Sequence, residues 1–471
     1  MGLWLALLPG FMVKTRGMKQ RKVLLVNPWI HDFAAYDLWA KPLGLLYLGA
    51  ILRKNNCRVS FIDCLGSTTN QDQRPSPGHK KSGQGQFLRQ VIEKPSVFGD
   101  VPRKYARYGI TPEAFSQRLS EEPRPDVILV TSMMTYWYPG VIETIASLKG
   151  VFQGVPVCLG GVYATLCPDH AKEFSGADHI ITGEAEDKIV EYLCDMWKIS
   201  PVFMPNPEDL DSFPYPCFDL IDKLRYVCIQ TSRGCPFRCD YCASHLLSRG
   251  LRRRSPQGVA QEIAFWHTRY RVRDFAFYDD ALLVQPEQMI CPLLKEIIHM
   301  DYGLRFHCPN GLHCRHLSSQ VASLMKKAGF LTIRLGLETS EPERQSSSGA
   351  KVTNREFEHA MRNLHAAGYT KKDIGVYILY GLPGQDADEI RNAIDFIRDN
   401  GASPMIAKYS PIPGTDLWEQ AAASSRYPIK DDPIFHNNTL LTCQSAGLDH
   451  AMYLSLRQYA AQDRPGLPCP V

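Results

Sequence analysis

The chain has 471 residues, of which 44% are hydrophobic and 22% charged, and its formal net charge is +4 at pH 7. This length accommodates two or three domains, each with its own core. So small a net charge does not indicate a nucleic acid or an anionic membrane as partner. No apolar run reaches the ~20 residues that a membrane-spanning helix needs.

Cysteine usage and the first residues bear on the compartment. Residues 1–8 are apolar but lack the basic residues that precede the apolar core of a signal peptide. Fifteen cysteines without a secretory signal favour reduced thiols or metal ligation over a disulfide framework. We therefore expect a cytoplasmic protein in which residues 1–19 form an N-terminal extension.

Residues 20–200 alternate short apolar segments with amphipathic ones. The predicted strands are 22–27, 58–63, 126–131, 156–160 and 179–182, and the predicted helices are 42–52, 139–148, 168–174 and 184–197. This alternation predicts an α/β domain with a parallel, doubly wound, Rossmann-like sheet. Residues 66–90 are polar and rich in Gly, Ser, Gln and Pro, which predicts a mobile insertion.

A second alternating series follows a linker at 201–225 that is rich in Pro and Asp. Its predicted strands are 227–232, 274–278, 304–308, 331–336, 374–379 and 404–409, and its predicted helices are 258–269, 287–299, 318–328, 354–367 and 386–399. Six β/α units over 226–425 favour a partial (β/α)6 barrel over a complete one, which typically takes ~250 residues. Residues 426–471 form a tail with no assignable pattern.

Three cysteines lie on one short loop after the first barrel strand. Cys235, Cys239 and Cys242 provide three thiolates, whereas a closed [4Fe–4S] cluster or a structural zinc takes four ligands. A three-cysteine loop therefore leaves one metal position open to another ligand. The alternative is a set of ordinary buried cysteines, or a zinc site completed by Cys228 or Cys217.

The spacing of this loop resembles the cluster-binding signature of the radical S-adenosylmethionine (SAM) superfamily. The resemblance implies that Cys235, Cys239 and Cys242 are the catalytic metal ligands, with Tyr241 beside the bound cofactor. It also implies that SAM chelates the open iron and that one electron cleaves SAM to a 5′-deoxyadenosyl radical. A donor such as flavodoxin or ferredoxin is expected to supply that electron.

Further candidate residues lie at the ends of later barrel strands. Asp280 is the preferred candidate for the SAM amino group, with Asp279 as its rival and helix N-capping as the alternative role. Glu338 could accept hydrogen bonds from the ribose hydroxyls or the amine of SAM. Ile378 and Gly381 belong to a strand and glycine turn against which adenine could lie.

The N-terminal domain resembles the cobalamin-binding domain that precedes many radical SAM barrels. In that fold the corrin lies over the C-terminal edge of the parallel sheet, where open α/β sheets bind ligands. The resemblance implies that Gly160 and Gly161 allow close approach of the backbone and that the loop containing Thr131 and Tyr136 covers one face.

This domain departs from the cobalamin pattern in one respect. It lacks the string Asp-x-His-x-x-Gly, whose histidine replaces the lower ligand of cobalt, and neither His31 nor His179 has the required neighbours. A Rossmann-like domain without a corrin therefore stays open as an alternative.

The function predicted from the sequence is that of a cobalamin-dependent radical SAM enzyme. It would act on an unreactive carbon or phosphorus centre of an unidentified small molecule or peptide, by methyl transfer or rearrangement. The alternatives are a corrin-free radical SAM enzyme and a zinc-stabilised binding protein. Arg252–Arg254 is interpreted as a solvated loop, because three charges alone do not define a nucleic-acid surface.

Overall fold

The computed structural model describes residues 20–66, 84–443 and 447–462. The predicted extension at 1–19, residues 67–83 of the predicted insertion and the last nine residues of the tail lie outside the described residues. None of the described helices is long and apolar enough to cross a membrane.

The N-terminal half contains ten strands and six α-helices within its described residues. The strands are β1 (Lys22–Asn27), β2 (Ile30–Asp32), β3 (Tyr36–Asp37), β4 (Arg58–Asp63), β5 (Gly85–Gln86), β6 (Arg89–Val91), β7 (Ala106–Tyr108), β8 (Val127–Val130), β9 (Val157–Leu159) and β10 (His179–Ile180). The helices are α1 (Leu43–Lys54), α2 (Pro112–Glu121), α3 (Tyr138–Val151), α4 (Val162–Leu166), α5 (Pro168–Phe174) and α6 (Glu186–Trp197).

Five of these strands form one parallel sheet in the order β10-β9-β8-β1-β4. Apolar clusters cover both of its faces, one including residues of α2 to α5 and the other residues of α1 and α6. Burial on both faces explains why β1 and β8 are continuous apolar runs without alternation. The predicted doubly wound sheet is confirmed.

The smaller strands add two antiparallel sheets beside it. The order β2-β7-β6 forms one, and β3 pairs with β5 to form the other. Strands β5 and β6 fall at the end of the stretch predicted to be a mobile insertion, so residues 85–86 and 89–90 are paired in the structure. Their short length and polar composition explain why the sequence pattern did not reveal them.

The second half contains eight strands and nine α-helices within its described residues. The strands are β11 (Tyr226–Ile229), β12 (Ser232–Arg233), β13 (Arg252–Arg253), β14 (Asp274–Phe277), β15 (Arg305–His307), β16 (Phe330–Glu338), β17 (Ile374–Tyr380) and β18 (Ser403–Lys408). The helices are α7 (Ser244–Leu247), α8 (Pro256–Tyr270), α9 (Ile290–Met300), α10 (Ser319–Ala328), α11 (Pro342–Ser347), α12 (Asn354–Ala366), α13 (Ala387–Asp399), α14 (Trp418–Ser424) and α15 (His450–Ala461).

Six strands form a parallel sheet in sequential order, β11-β14-β15-β16-β17-β18. Sequential parallel order with intervening helices is the arrangement of a partial (β/α)6 barrel, as predicted. Four of the helices between these strands begin at an N-cap whose side chain accepts a backbone N–H of the first turn: Ser255, Ser318, Thr353 and Asp386. All six strands run in the same direction, so their C-terminal ends lie on one rim.

The tail that the sequence left unassigned packs between the two halves. Its segment 427–443, the C-terminal strap, places Asn437 against Asp32 of the N-terminal half, with Nδ2 donating to the carboxylate at 2.9 Å. The adjacent His436 ring contacts the Thr135 hydroxyl, also at 2.9 Å, and the Tyr138 hydroxyl donates to Asp432 at 3.1 Å. The strap therefore joins the sheet domain to the barrel.

A second connection runs in the opposite direction, from the sheet domain into the barrel. Residues 36–41 form the connection, which we call the Trp39 loop. Its Trp39 ring is 5% exposed and stacks on His307 of β15 with centroids 4.4 Å apart. The Tyr226 hydroxyl donates to Asp37 at 2.5 Å, and the Tyr278 hydroxyl donates to the Trp39 carbonyl. Side chains of the first domain therefore pack among barrel strands.

Candidate functional site

The three-cysteine loop leaves the rim of the barrel just after β11, and a buried carboxylate holds its beginning. Asp279, 3% exposed, accepts the backbone N–H groups of Thr231 and Ser232 at 3.0 and 2.6 Å and both of their hydroxyls at 2.7 Å. Burial raises the pKa of Asp279 to about 6, and these hydrogen bonds oppose the rise. These hydrogen bonds occupy the Asp279 carboxylate, so of the two rival acids Asp280 is the one free to bind the SAM amino group.

The loop itself is tightly curved around its cysteines. Cys239 is 8% exposed and its carbonyl accepts the Cys242 N–H at 3.0 Å, while Cys235 and Cys242 are half-buried. Burial, with the neighbouring thiols adding to it, raises the pKa of Cys235 to about 11. Gly349 has φ +95°, and a side chain there would collide with the Arg238 carbonyl and the Cys239 backbone. The loop therefore depends on a glycine more than 100 residues away.

The three thiols are neighbours on one loop and not a preformed cage. Among the described residues, no three His, Cys, Asp or Glu side chains stand together at metal-binding separations. The donor set nevertheless suits an iron–sulfur cluster, which cysteine thiolates hold, better than a hard cation that takes oxygen ligands.

Glu338 lies beside this loop at the end of β16. It shares a small recess with Tyr241 and Lys351, and the Lys351 ammonium is 3.0 Å from its carboxylate. Its backbone has φ +67°, and the pairing of β16 with β17 shifts register between Gly336 and Glu338. A side chain at Gly336 would meet both the Lys351 ammonium and the Glu338 carboxylate. Sequence reasoning missed Lys351, because it stands alone in a loop without a motif.

The glycine turn after β17 is shaped by its own side chains. Gly381 has φ +89°, and its N–H donates to Gln385 Oε1 at 2.9 Å. The Ile378 side chain is 1% exposed in the core between the strands and the outer helices. The expectation of a ligand contact at Ile378 is therefore limited to its backbone, because period-two alternation turns this side chain away from the barrel interior.

A cavity of about 360 Å³ lies between the two halves. Its sheet-domain side includes Thr131, Gly160 and Gly161 at the C-terminal ends of β8 and β9, and its barrel side includes Gly234 and Asp280. A side chain at Gly161, whose φ is +95°, would collide with the Ser132 backbone, whereas one at Gly160 would approach nothing closer than 3.6 Å. The edge of the sheet is thus open backbone, which suits a flat ligand.

The aromatic residue predicted to cover this ligand lies elsewhere. Tyr136 is 5% exposed in a short 3₁₀ turn before α3 and is not part of the cavity wall. The structure therefore does not place this ring at the cavity, and its contact with a cofactor stays a prediction. Neither histidine of the domain that was considered as a cobalt ligand lines the cavity: His31 Nε2 is 2.8 Å from Glu143, and the His179 ring stacks on Tyr192.

Two of the three arginines that follow the cysteine loop are buried. Arg252 and Arg254 are 9% and 8% exposed, and Arg252 with Arg253 forms the short strand β13, which pairs with β12. Arg252 pairs with Glu184 of the sheet domain, and Arg254 pairs with Glu262 of α8. The solvated-loop interpretation was wrong because the acidic partners are distant in sequence.

Comparison with known families agrees with both halves of the site. Residues 103–193 match the B12 binding domain, and residues 229–397 match the Radical SAM superfamily. The first match contains the glycine pair at the cavity edge, and the second contains all three cysteines of the loop.

Curated relatives align along most of the chain. An uncharacterised methyltransferase of Pyrococcus horikoshii is 26% identical, with 87% of this chain and 84% of the relative covered. Cytidylyl-2-hydroxyethylphosphonate methyltransferase of Streptomyces wedmorensis is 22% identical, with 88% and 84% covered.

Solved structures show the same fold. The radical SAM methyltransferase TsrM from Kitasatospora setae superposes with a TM-score of 0.63 at 17% identity, covering 89% of this chain and 83% of that chain. The cobalamin-dependent radical SAM enzyme OxsB superposes with a TM-score of 0.57 at 14% identity, covering 94% and 61%.

Proposed function

Because the chain carries a B12-binding domain followed by a radical SAM domain, it belongs to the cobalamin-dependent radical SAM enzymes, and we propose that it methylates an unreactive carbon or phosphorus centre. The observation that carries this proposal is the cavity of about 360 Å³ between the open sheet edge and the cysteine-loop rim. The corrin at the sheet edge and SAM at the cysteine-loop rim would face this space from opposite sides, with the substrate between them. Methyl transfer is preferred over rearrangement because the two relatives that align along most of the chain are methyltransferases.

The cofactors supply chemistry that side chains lack. When bound, the [4Fe–4S] cluster supplies the electron that cleaves SAM to a 5′-deoxyadenosyl radical, and cobalamin supplies a carrier for the methyl group. Cys235, Cys239 and Cys242 would hold the cluster and leave one iron open for SAM. A flavodoxin- or ferredoxin-type protein is the proposed electron donor.

The remaining residues would hold SAM and the corrin. Asp280, exposed at the cavity wall, would accept hydrogen bonds from the SAM amino group. Glu338, beside Tyr241, would accept hydrogen bonds from the ribose hydroxyls. The backbone at 378–381 would lie along adenine. Thr131 and the pair Gly160 and Gly161 would bear the corrin. The substrate itself is identified only as a small molecule or peptide that fits between these surfaces.

The first test concerns the cluster. Anaerobically reconstituted wild-type protein should be brown, should give an EPR signal that SAM perturbs, and should cleave SAM. The Cys239→Ala variant should lose iron and at least about a thousandfold of the cleavage rate, because two thiolates do not retain the cluster. A variant that still cleaves SAM would refute the assignment of these ligands. Colourless wild-type protein containing zinc would support the zinc-stabilised alternative.

The second test concerns cobalamin. Gly160→Leu should bind cobalamin at least about tenfold more weakly, because the added side chain has room within the protein but occupies the edge of the cavity. Gly150→Leu is the matched control, since no atom lies within 4 Å of a Cβ there. The absorbance of bound cob(II)alamin measures cobalamin binding by both variants. Wild-type protein that cleaves SAM without binding cobalamin would support the corrin-free alternative.

The third measurement separates methyl transfer from rearrangement. Mass spectrometry of the products after turnover should show a substrate that has gained one methyl group in place of a hydrogen. A product of unchanged elemental composition would indicate rearrangement instead.

A further inference from the structure

The three-cysteine loop belongs to a longer hairpin that spans both of its arms. Residues 232–253, the cluster hairpin, begin with β12 and end with β13, which pair Arg233 with Arg252 in antiparallel register. A side chain at Gly234 would collide with the Gly250 carbonyl, so the two arms are in direct contact. The position of the three cysteines therefore follows the position of these two stems.

Acidic residues of the sheet domain hold both stems. On the first stem, Arg233 lies 2.5 Å from Glu186, with side chains 11% and 7% exposed. On the second stem, Arg252 pairs with Glu184, with side chains 8% and 9% exposed. The Ser248 hydroxyl, between the stems, also donates to Glu184 at 3.2 Å. One short segment of the other domain thus contacts the hairpin at three places.

A third arginine makes the arrangement more specific. Arg249 donates from one nitrogen to both oxygens of Asp187, at 2.9 and 2.8 Å, and its Nε is 3.6 Å from Glu184. The Arg233 guanidinium also lies over the rings of Tyr47 and Phe213, each centroid at 5.1 Å. The rigid, planar guanidinium fixes direction as well as distance.

These pairs are better suited to fixing geometry than to adding stability. A buried ion pair gains little net free energy over apolar side chains of the same size, but it tolerates only one arrangement of its partners. Glu184, Glu186 and Arg233 also line the cavity between the domains. They stand where a cluster on the hairpin and a corrin on the sheet edge would face each other.

We propose that Glu184 and Glu186 are positioning residues that fix the separation between the iron–sulfur cluster and the corrin, acting through Arg252 and Arg233. This inference rests on the proposed function, because it needs both cofactors in one molecule. In this role the two acids act on the arginines and not on a cofactor. They hold the stems of the hairpin that carries the cluster.

The test measures the magnetic interaction of the two cofactors in fully loaded protein. With dithionite-reduced cluster and cob(II)alamin present, the wild-type cobalamin EPR signal should saturate at higher microwave power than in the cluster-free Cys239→Ala protein. In Glu186→Gln and Glu184→Gln, with both cofactors loaded, the saturation power should fall toward the cluster-free value. A merely structural role would lower stability without changing this readout.

Asp219→Asn is the matched control, because it breaks an ion pair between α1 and the segment before the barrel, Arg53 with Asp219 at 2.8 Å, without touching the hairpin. It should keep the wild-type saturation power. Wild-type saturation in both glutamine variants would overturn the proposal. If neither variant folds, Glu186→Asp and Glu184→Asp, which keep the charge but shorten the reach to Arg233 and Arg252, decide in the same way. Wild-type protein that takes up no cobalamin would overturn the proposed function and this inference together.

Discussion

At the scale of single residues, Glu338 combines backbone strain with a buried charge. Its left-handed backbone at φ +67° is rarely adopted by a side chain of this kind, and such strain is concentrated at functional sites. The Lys351 ammonium compensates the carboxylate at 3.0 Å, with both side chains about 15% exposed or less. The ion pair holds the Glu338 carboxylate beside Lys351.

Removing the lysine should therefore be costly. We expect Lys351→Met to lower the free energy of unfolding by about 3 kcal/mol, because it leaves a largely buried carboxylate without its partner. Urea denaturation of the apoprotein measures the change. Lys198→Met is the control, since that lysine and Asp195 are about 80% exposed and the pair should contribute less than about 1 kcal/mol. Equal effects of the two substitutions would contradict this account of the pair.

At the scale of elements, the C-terminal strap depends on a neutral histidine. The His436 Nε2–H donates to the Ile429 carbonyl at 2.9 Å, so Nδ1 accepts the Thr135 hydroxyl. Burial lowers the pKa of His436 to about 4, with Asp432 opposing the change and His170 reinforcing it. The ring is 2% exposed, so protonation would place a poorly solvated charge between the domains.

This arrangement predicts a dependence of stability on pH. Between pH 6.5 and pH 4 the unfolded chain binds a proton at this histidine and the folded chain does not, so stability falls as the pH is lowered. The expected loss between pH 7 and pH 5 is about 2 kcal/mol. Denaturation of His436→Gln should show a smaller loss over that range, whereas His359→Gln, at an exposed position, should match the wild type. Identical pH profiles for wild type and His436→Gln would rule this out.

At the scale of the whole molecule, the Trp39 loop makes the barrel dependent on the sheet domain. Trp39 has φ +65°, and its buried indole N–H has no hydrogen-bond partner among the described residues. Its carbonyl nevertheless accepts the Cys228 thiol at 3.3 Å and the Tyr278 hydroxyl. The loop is locally strained, but it contacts strands β11 and β15 and the residue that follows β14.

We expect Trp39→Ala to lower the free energy of unfolding by about 3 kcal/mol, because it removes a buried ring that stacks on His307. Alanine also has a Cβ, so the left-handed backbone at position 39 stays strained and no relief of strain offsets this loss. Leu38→Ala is the adjacent control, since Leu38 is 51% exposed and should change stability by less than about 0.5 kcal/mol. Urea denaturation of both variants gives the comparison, and a Trp39 effect no larger than the control would show that the loop does not stabilise the barrel.

The sequence predicted the architecture well because its signals are local. Period-two and helical patterns located all six barrel strands to within about two residues at most ends. The glycines at 160 and 161 and the acid at 280, which the family resemblance implied, line the cavity at the strand ends, and their contacts with cofactors stay predictions. What could not be predicted required contacts between distant segments: Lys351 beside Glu338, Glu184 opposite Arg252, and Asn437 against Asp32. No pattern within one segment encodes these pairings.

The contact between Asp32 and Asn437 has a consequence for synthesis of the chain. These residues are 405 positions apart, and the Asp32 carboxylate is 5% exposed in the finished protein. At about 5–20 residues per second the strap leaves the ribosome roughly 20–80 s after the first strands. Until then the nascent sheet domain presents this face uncovered, so we expect chaperones to engage it there before the strap emerges.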